Sequence, residues 1–463
     1  MRHLLVWAVV FAVHAATIGL PAVEGSEYAI EEAHHLLTAE SLVSDGDVDL
    51  SDDLPGAGRL AGLPADLEIH GQLMDGRIHD PHGAGFPLVV APALAVSGVI
   101  GVELFLAAVM ALSFVVAAAL ARVVVPEPWA TRGVLVIALS PPVVAHASAV
   151  EPDGLAGLLL AAAILCTARA REDARIPWVA GAALALAALP WLGPEYLLPG
   201  AVVAGLLANW TLRQHRRLAA LIAFEIVSTS LIAYTTVNQG LYGGLTPLAA
   251  DVEHRILPGT WSPDGFLDRA PRLVSLWLDR DFGLIRWAPV LGLAVFGVWL
   301  LWRSRRDALA RLLPERREAE SVAGLALAVG ACLLLVASAF GSGSMGDAFP
   351  GRHLVAAMPA AAVLVAWASR HLPRGFLVLG VLTTLTTAWL LVSLRAGTAN
   401  AWGPPTSSVP WGPLERLLPS YEPLTVWAEA LTLILAAALL VVVAVEWRAI
   451  RLWRGTADTS RRV

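Results

Sequence analysis

The chain has 463 residues, of which 57% are hydrophobic and only 15% charged, and its mean hydropathy is +0.66. Those values exclude an ordinary soluble domain and point to an integral membrane protein. Cys166 and Cys332 both sit in apolar stretches, which excludes a disulfide framework and a cysteine-ligated metal site, and the net charge of -6 is spread unevenly, with acids in one long loop and arginines in several short ones.

From the N-terminus, Leu4 to Val23 is long enough, at about 1.5 Å per residue, to cross a hydrocarbon core of roughly 30 Å. Arg2 and His3 could also open a cleavable signal peptide with a small-residue site near Ala22, although multi-span proteins normally keep such a helix. Residues 24–100 form the first long loop, with fourteen acids between Glu24 and Asp80 against Arg59 and Arg77; much of it reads as a solvated acidic surface.

Within that loop, Ala29 to Val43 has the spacing of a short amphipathic helix, with Leu36, Leu37 and Val43 available for packing and Glu31, Glu32, His34 and His35 gathered at its start. Residues one turn apart share a face, so Glu31 can meet His34 and His35, as general-base or metal-ligand chemistry requires. A plain surface helix with local ion pairs fits the spacing equally well. His79-Asp80-Pro81-His82-Gly83-Ala84-Gly85-Phe86-Pro87 follows, a polar stretch punctuated by Gly and Pro that leads into the apolar segment 86–100.

Eleven further stretches, 101–121, 133–149, 154–168, 177–192, 195–212, 218–237, 284–302, 321–340, 353–369, 375–394 and 424–445, bring the expected spans to about twelve. With a cytoplasmic start, the loops around Arg122 and Arg132, Arg169 to Arg175, Arg213 to Arg217, Arg303 to Arg317, and Arg370 and Arg374, together with the arginine-rich tail, all fall on one side, as the positive-inside rule requires. Counting 86–100 as a span would break that alternation, so it reads as an interfacial or re-entrant helix. The expected fold is an all-α integral membrane protein, one polytopic domain over 1–463. Its large first extracytoplasmic loop carries short juxtamembrane helices, and both termini are cytoplasmic. The absence of lysine, with the Ala, Val, Leu and Gly bias, suggests a GC-rich bacterial genome and hence a bacterial cytoplasmic membrane.

The outer side then receives 24–100, 238–283, 341–352 and 395–423. The turn Val150-Glu151-Pro152-Asp153 sets two carboxylates between two spans without a basic neighbour in the turn. Arg352 enters a span from an outer loop, where a guanidinium either holds a phosphate through paired hydrogen bonds or snorkels to the interface.

Taken in order, these pieces resemble the GT-C superfamily of polytopic glycosyltransferases, particularly bacterial relatives of the aminoarabinose and protein mannosyl transferases. The most specific match is Glu31-Glu32-Ala33-His34-His35 to an Asp-Glu-Pro-His-Tyr-like motif, followed by a helix and the acidic turn Asp45-Gly46-Asp47. His82 to Pro87 is similar to a His-Gly-x-Gly-x-Pro stretch, and Pro141-Pro142 through Pro152-Asp153 to a Pro-Pro segment that leads to a Pro-acid turn. Tyr242 to Pro247, Asp281 to Leu284 with Ala288-Pro289, and Pro350 to His353 are similar to weaker signposts. Glu31 departs from the usual aspartate, Ala33 from proline and His35 from an aromatic residue, and the longer Glu31 side chain shifts where a base would stand.

The resemblance implies inverting transfer of a sugar from a polyprenyl-phosphate donor to a hydroxyl of an envelope glycan, lipid or protein at the extracytoplasmic face. It implies Glu31, Glu32 and Asp153 as catalytic residues, with Glu31 the base. It implies His34, His35, His82, Glu151 and Arg352 as substrate-binding residues, with Arg352 against the lipid phosphate. A divalent metal is left open, with Glu32, His34, His82 and Asp153 as candidate ligands; no other cofactor and no nucleic acid is expected. The rival readings are a catalytically silent relative and a transporter or flippase of an envelope lipid. A transporter would place polar groups near the bilayer midplane, where these spans are apolar.

Overall fold

Apolar length and proline punctuation account for most of the architecture of the computed structural model, which describes residues 2–459 except 53–59, 61–62, 64–66, 68–72, 75, 174, 252–262, 307–313, 342–347, 404–408 and 413–416. In chain order the first half runs α1 (Arg2–His14), α2 (Ile30–Ser44), the hairpin β1 (Leu73–Met74) and β2 (Arg77–Ile78), α3 (Gly85–Val124), α4 (Trp129–Ala138), α5 (Pro141–Ala145), α6 (Asp153–Glu172), α7 (Ile176–Leu192), α8 (Leu197–Arg213) and α9 (Arg217–Tyr242). The second half runs α10 (Pro263–Arg269), α11 (Arg272–Leu278), α12 (Leu284–Trp287), α13 (Gly292–Arg306), α14 (Pro314–Phe340), a 3-10 turn (Arg352–Ala357) continuous with α15 (Met358–His371), α16 (Pro373–Arg395) and a C-terminal helix (Val426–Thr459).

Among the described residues, α3, α6, α9, α14, α15 with its leading turn, and α16 are long and apolar enough to cross a membrane, and shorter apolar helices cover 3–17, 129–138, 176–192 and 426–442. The chain is a multi-pass membrane protein. Two expected spans are interrupted, and proline is the reason in each. The stretch 133–149 breaks into α4 and α5 at Ser140-Pro141, and 284–302 breaks at Ala288-Pro289 before α13. The apolar segment 86–100 is continuous in chain with the helix after it, but Ser97 and Gly98 leave helical geometry and divide α3 in two. The division falls close to where an interfacial segment was expected to end.

α15 sits centrally, with Ala362, Val363, Val365 and Ala366 fully buried and α3, α4, α13 and α14 packed around it. Small side chains suit that position, because helices in lipid gain stability chiefly by close packing. The helices that reach the site described below share a polarity. α3, α6 and α15 start there and end at Arg122, Arg169 with Arg171, and Arg370; α7 and α14 end there and start beside Arg175 and at Arg316 with Arg317. Arg169 pairs with Glu318 at 3.4 Å and Arg171 donates to the Arg317 carbonyl at 2.9 Å, so two of these arginine ends meet. α6 alone separates its ends by roughly 28 Å, about one hydrocarbon thickness.

Of the two readings of 29–43, the plain surface helix is the one that fails, because the start of α2 is buried. Glu32, His34, His35, Leu36 and Leu37 are all buried, and Leu37 packs with Leu50 and Leu67, whereas Val43 is exposed. Glu24, Glu27, Asp45, Asp47 and Asp52 are exposed, as a solvated acidic surface requires; Asp53, Arg59, Asp66, Glu68 and Asp75 lie outside the described residues.

Candidate active site

A cavity of about 640 Å³ opens where the start of α2, the loop before α3, the turn before α6, the turn 193–196, the end of α14 and the start of the Arg352 turn converge. Polar groups on its wall include Glu31, His35, His82, Glu151, Asp153, Glu195 and Arg352.

Glu32 sets the relation between two of these elements. Its Oε2 accepts the Ala29 N–H at 2.8 Å, closing the first turn of α2, and its Oε1 accepts the Val150 N–H at 2.8 Å, 118 residues away. The turn carrying Glu151 and Asp153 is thereby fastened to the helix carrying Glu31. Burial pushes the Glu32 carboxyl up to about 8 against the pull of those two amides. Glu32 therefore does not line the cavity, despite its place in the motif. Glu32→Ala leaves two buried N–H groups without acceptors, and each such loss costs about 1–3 kcal/mol. The expected result is a clear fall in thermal unfolding temperature, accompanied by lower turnover per folded molecule, because the tie between the Glu31 helix and the Glu151 turn is lost.

Arg352 stands between Glu31 and Glu151. Its Nη2 lies 3.3 Å from Glu31 Oε1 and 3.1 Å from Glu151 Oε1, and its Nε donates to Glu151 Oε1 at 3.2 Å. The Trp402 ring lies over the guanidinium at 4.1 Å, and its Nε1 donates to the same Glu151 oxygen at 3.2 Å. Gly351 makes the approach possible: its φ is +94°, and a Cβ there would come within 2.8 Å of Leu284 and Pro142. Arg352 is thus pinned in place, which simple snorkelling does not require.

Burial alone would raise the Glu31 carboxyl, but Arg352, a backbone hydrogen bond and His82 outweigh it and hold Glu31 below the ordinary glutamate value. Across the cavity, Tyr196 donates to Asp153 Oδ1 at 3.0 Å, and burial raises both the Tyr196 hydroxyl and the Glu195 carboxyl. On the third wall, His82 Nδ1 donates to Asp80 Oδ1 at 2.7 Å, while His35 packs its ring against Phe86 at 4.9 Å. Burial opposes charge on His82, yet Asp80 and Glu31 raise its affinity for a proton. Gly85 lets this loop pass against the Trp191 carbonyl, where no Cβ fits.

Of the residues singled out in the sequence, Glu31, His35, His82, Glu151, Asp153 and Arg352 share the cavity, whereas Glu32 and His34 do not line it. The acidic turn at Asp45 and Asp47 also stays outside; Asp47 instead accepts a hydrogen bond from Ser41. Of the candidate metal ligands, His34 and His82 come together around Asp80, whereas Glu32 uses both oxygens on backbone amides and Asp153 accepts from Tyr196. Asp80, Glu195, Tyr196 and Trp402 are additions from the structure. Asp80 and Glu195 carried the signal of acids beside Pro and Gly turns, but Trp402 reaches Arg352 from a loop 50 residues on, a contact that local pattern does not encode.

No family model and no curated protein matches the sequence. In fold the chain is similar to ArnT from Cupriavidus metallidurans in the apo state, at 14% identity over 85% of this chain and 70% of that one, with a TM-score of 0.46. The same protein bound to undecaprenyl phosphate aligns at 15% identity over the same shares, with a TM-score of 0.49. The chain is also similar to the oligosaccharyltransferase AglB from Archaeoglobus fulgidus in complex with an inhibitory peptide and a dolichol-phosphate, at 12% identity over 87% of this chain and 56% of that one, with a TM-score of 0.46.

Proposed function

We propose that the chain is a membrane glycosyltransferase that moves a sugar from a polyprenyl-phosphate donor to an envelope acceptor hydroxyl on the extracytoplasmic side. The observation that carries this reading is the facing pair in one cavity: a carboxylate, Glu31, and a guanidinium, Arg352, 3.3 Å apart. A second, wholly apolar groove between α13, α14 and α15 runs past Ala294, Val298, Leu327, Leu334, Leu354 and Met358. It shares α14 with the cavity wall, through Leu333 and Val336, so an isoprenoid tail in the groove can present its phosphate near Arg352. The arginine-rich helix ends lie away from the cavity, which under the positive-inside rule supports an extracytoplasmic site.

In the proposed step Glu31 takes the proton of the acceptor hydroxyl as its oxygen attacks the anomeric carbon from the face opposite the phosphate. The bond between anomeric carbon and phosphate oxygen breaks, its electron pair leaves with the polyprenyl phosphate, and configuration inverts. Arg352 stabilises the charge gathering on that phosphate. Phosphate is a good leaving group, so no strong general acid is needed; Asp153 and Glu151 orient hydroxyls, and His82 and His35 border the sugar. A retained donor site without turnover would describe the silent relative, and a transporter would move the lipid without cleaving it.

The test is sugar transfer or release from a panel of synthetic polyprenyl-phosphate sugars by purified protein in lipid nanodiscs. Turnover of at least one donor, with inverted product, is expected. Binding without cleavage of any donor in the presence of acceptor extracts points to the silent relative, and lipid movement without cleavage to the flippase.

A further inference from the structure

His34, Asp80 and His82 form a cluster that none of the proposed chemical steps uses as a unit. We propose that these three residues are a binding site for a divalent transition metal, Zn²⁺ by donor type, with an open coordination position toward the cavity. His34 comes from the buried face of α2, while Asp80 and His82 come from the loop between β2 and α3. The Nδ1 atoms of His34 and His82 lie 3.6 and 2.7 Å from Asp80 Oδ1, and all three donor atoms fall within 4.8 Å of one another. Zinc bonds of about 2.0–2.2 Å in tetrahedral arrangement set donor atoms roughly 3.3 Å apart, so this spacing needs only small side-chain shifts to close on an ion.

The second observation concerns Asp80 itself. Its side chain is 1% exposed, and Oδ1 takes both the ring and the backbone N–H of His82, yet Oδ2 is buried without a hydrogen-bond partner. A hydrogen-bonded Asp80–His82 pair accounts for the first oxygen and leaves the second unexplained, whereas a bound cation interacts with the whole carboxylate. Two imidazoles and one carboxylate are the donor set of open catalytic zinc sites, which keep one position for water or a ligand oxygen. His82 borders the cavity, so that position opens toward the proposed acceptor and phosphate.

The test reads metal directly and does not depend on sugar transfer. Full-length protein in nanodiscs, stripped with chelator, is titrated with Co²⁺ and followed by its visible d–d absorption, then with Zn²⁺ by displacement. One equivalent of Co²⁺ with low-symmetry, low-coordinate absorption, displaced by Zn²⁺, is expected from the wild type and from Glu31→Gln. His34→Ala and Asp80→Asn are each expected to weaken binding by at least roughly 10–100-fold, the loss that outer-sphere partners alone already cause. Absence of stoichiometric Co²⁺ and Zn²⁺ binding by folded wild-type protein overturns the site, as does undiminished binding by folded His34→Ala. Because Glu31→Gln keeps the metal, failure of the transfer reading and failure of the metal site are separate results.

Discussion

Glu31→Gln is expected to lower sugar transfer by roughly 10²–10⁴-fold, the contribution of a positioned general base, while the protein still folds and still binds donor. The substitution is nearly isosteric and removes the proton acceptor at the head of α2. Arg352 keeps its two contacts to Glu151 and its stacking on Trp402, so the phosphate side of the cavity stays assembled. Turnover at saturating donor, measured beside donor affinity, separates the two roles: a base affects the rate, a binding residue the affinity. Wild-type turnover by Glu31→Gln would remove Glu31 from the mechanism. The contrast with Glu32 is informative, because the two neighbours are chemically alike and differ only in what surrounds them. Glu31 faces Arg352 at the cavity, whereas Glu32 is spent on two backbone amides.

That contrast also marks how far the sequence could be read. The helices were legible because apolar runs bounded by arginine and proline obey length and periodicity, which are local properties. The grouping of Glu31, Glu151, Asp153 and Arg352 was legible as four separate hints, each an acid or a guanidinium at the edge of an apolar stretch. Their convergence depends on Glu32 reaching Val150 and on Gly351 passing Leu284 and Pro142 where no Cβ fits, and neither contact leaves a trace in local pattern. His34 was legible as a polar residue near the start of α2 but not as a buried one, because its neighbour Asp80 lies 46 positions away on another element. The interruptions at Pro141 and Pro289 were legible in principle; a length criterion overlooks them because both stretches are predominantly apolar, with Arg286 the one charged residue in the second.

Arg352→Gln is expected to reduce turnover by about 10²–10³-fold, the usual cost of removing one donor aimed at developing charge, and also to move the acid limb of the pH profile. The direction follows from what surrounds Glu31. Burial raises its carboxyl; Arg352 is the largest influence lowering it, with His82 a further one, and the net result lies below the ordinary value of 4.5. A base with so low a value is ionised throughout the neutral range, so wild-type transfer should be flat on the acid side and fall only as the pH drops below about 4.5. Without the guanidinium, burial is opposed by the backbone contact and His82. The Glu31 carboxyl then rises, and the residual activity of Arg352→Gln should fall off at higher pH than that of the wild type. Arg352→Lys returns a positive charge without the fork that spans Glu31 and Glu151, so it should restore the acid limb more fully than the rate. An acid limb unmoved in Arg352→Gln would mean that the group titrating in the rate is not the carboxylate facing Arg352, and the assignment of the base would pass from Glu31 to another acid of the cavity.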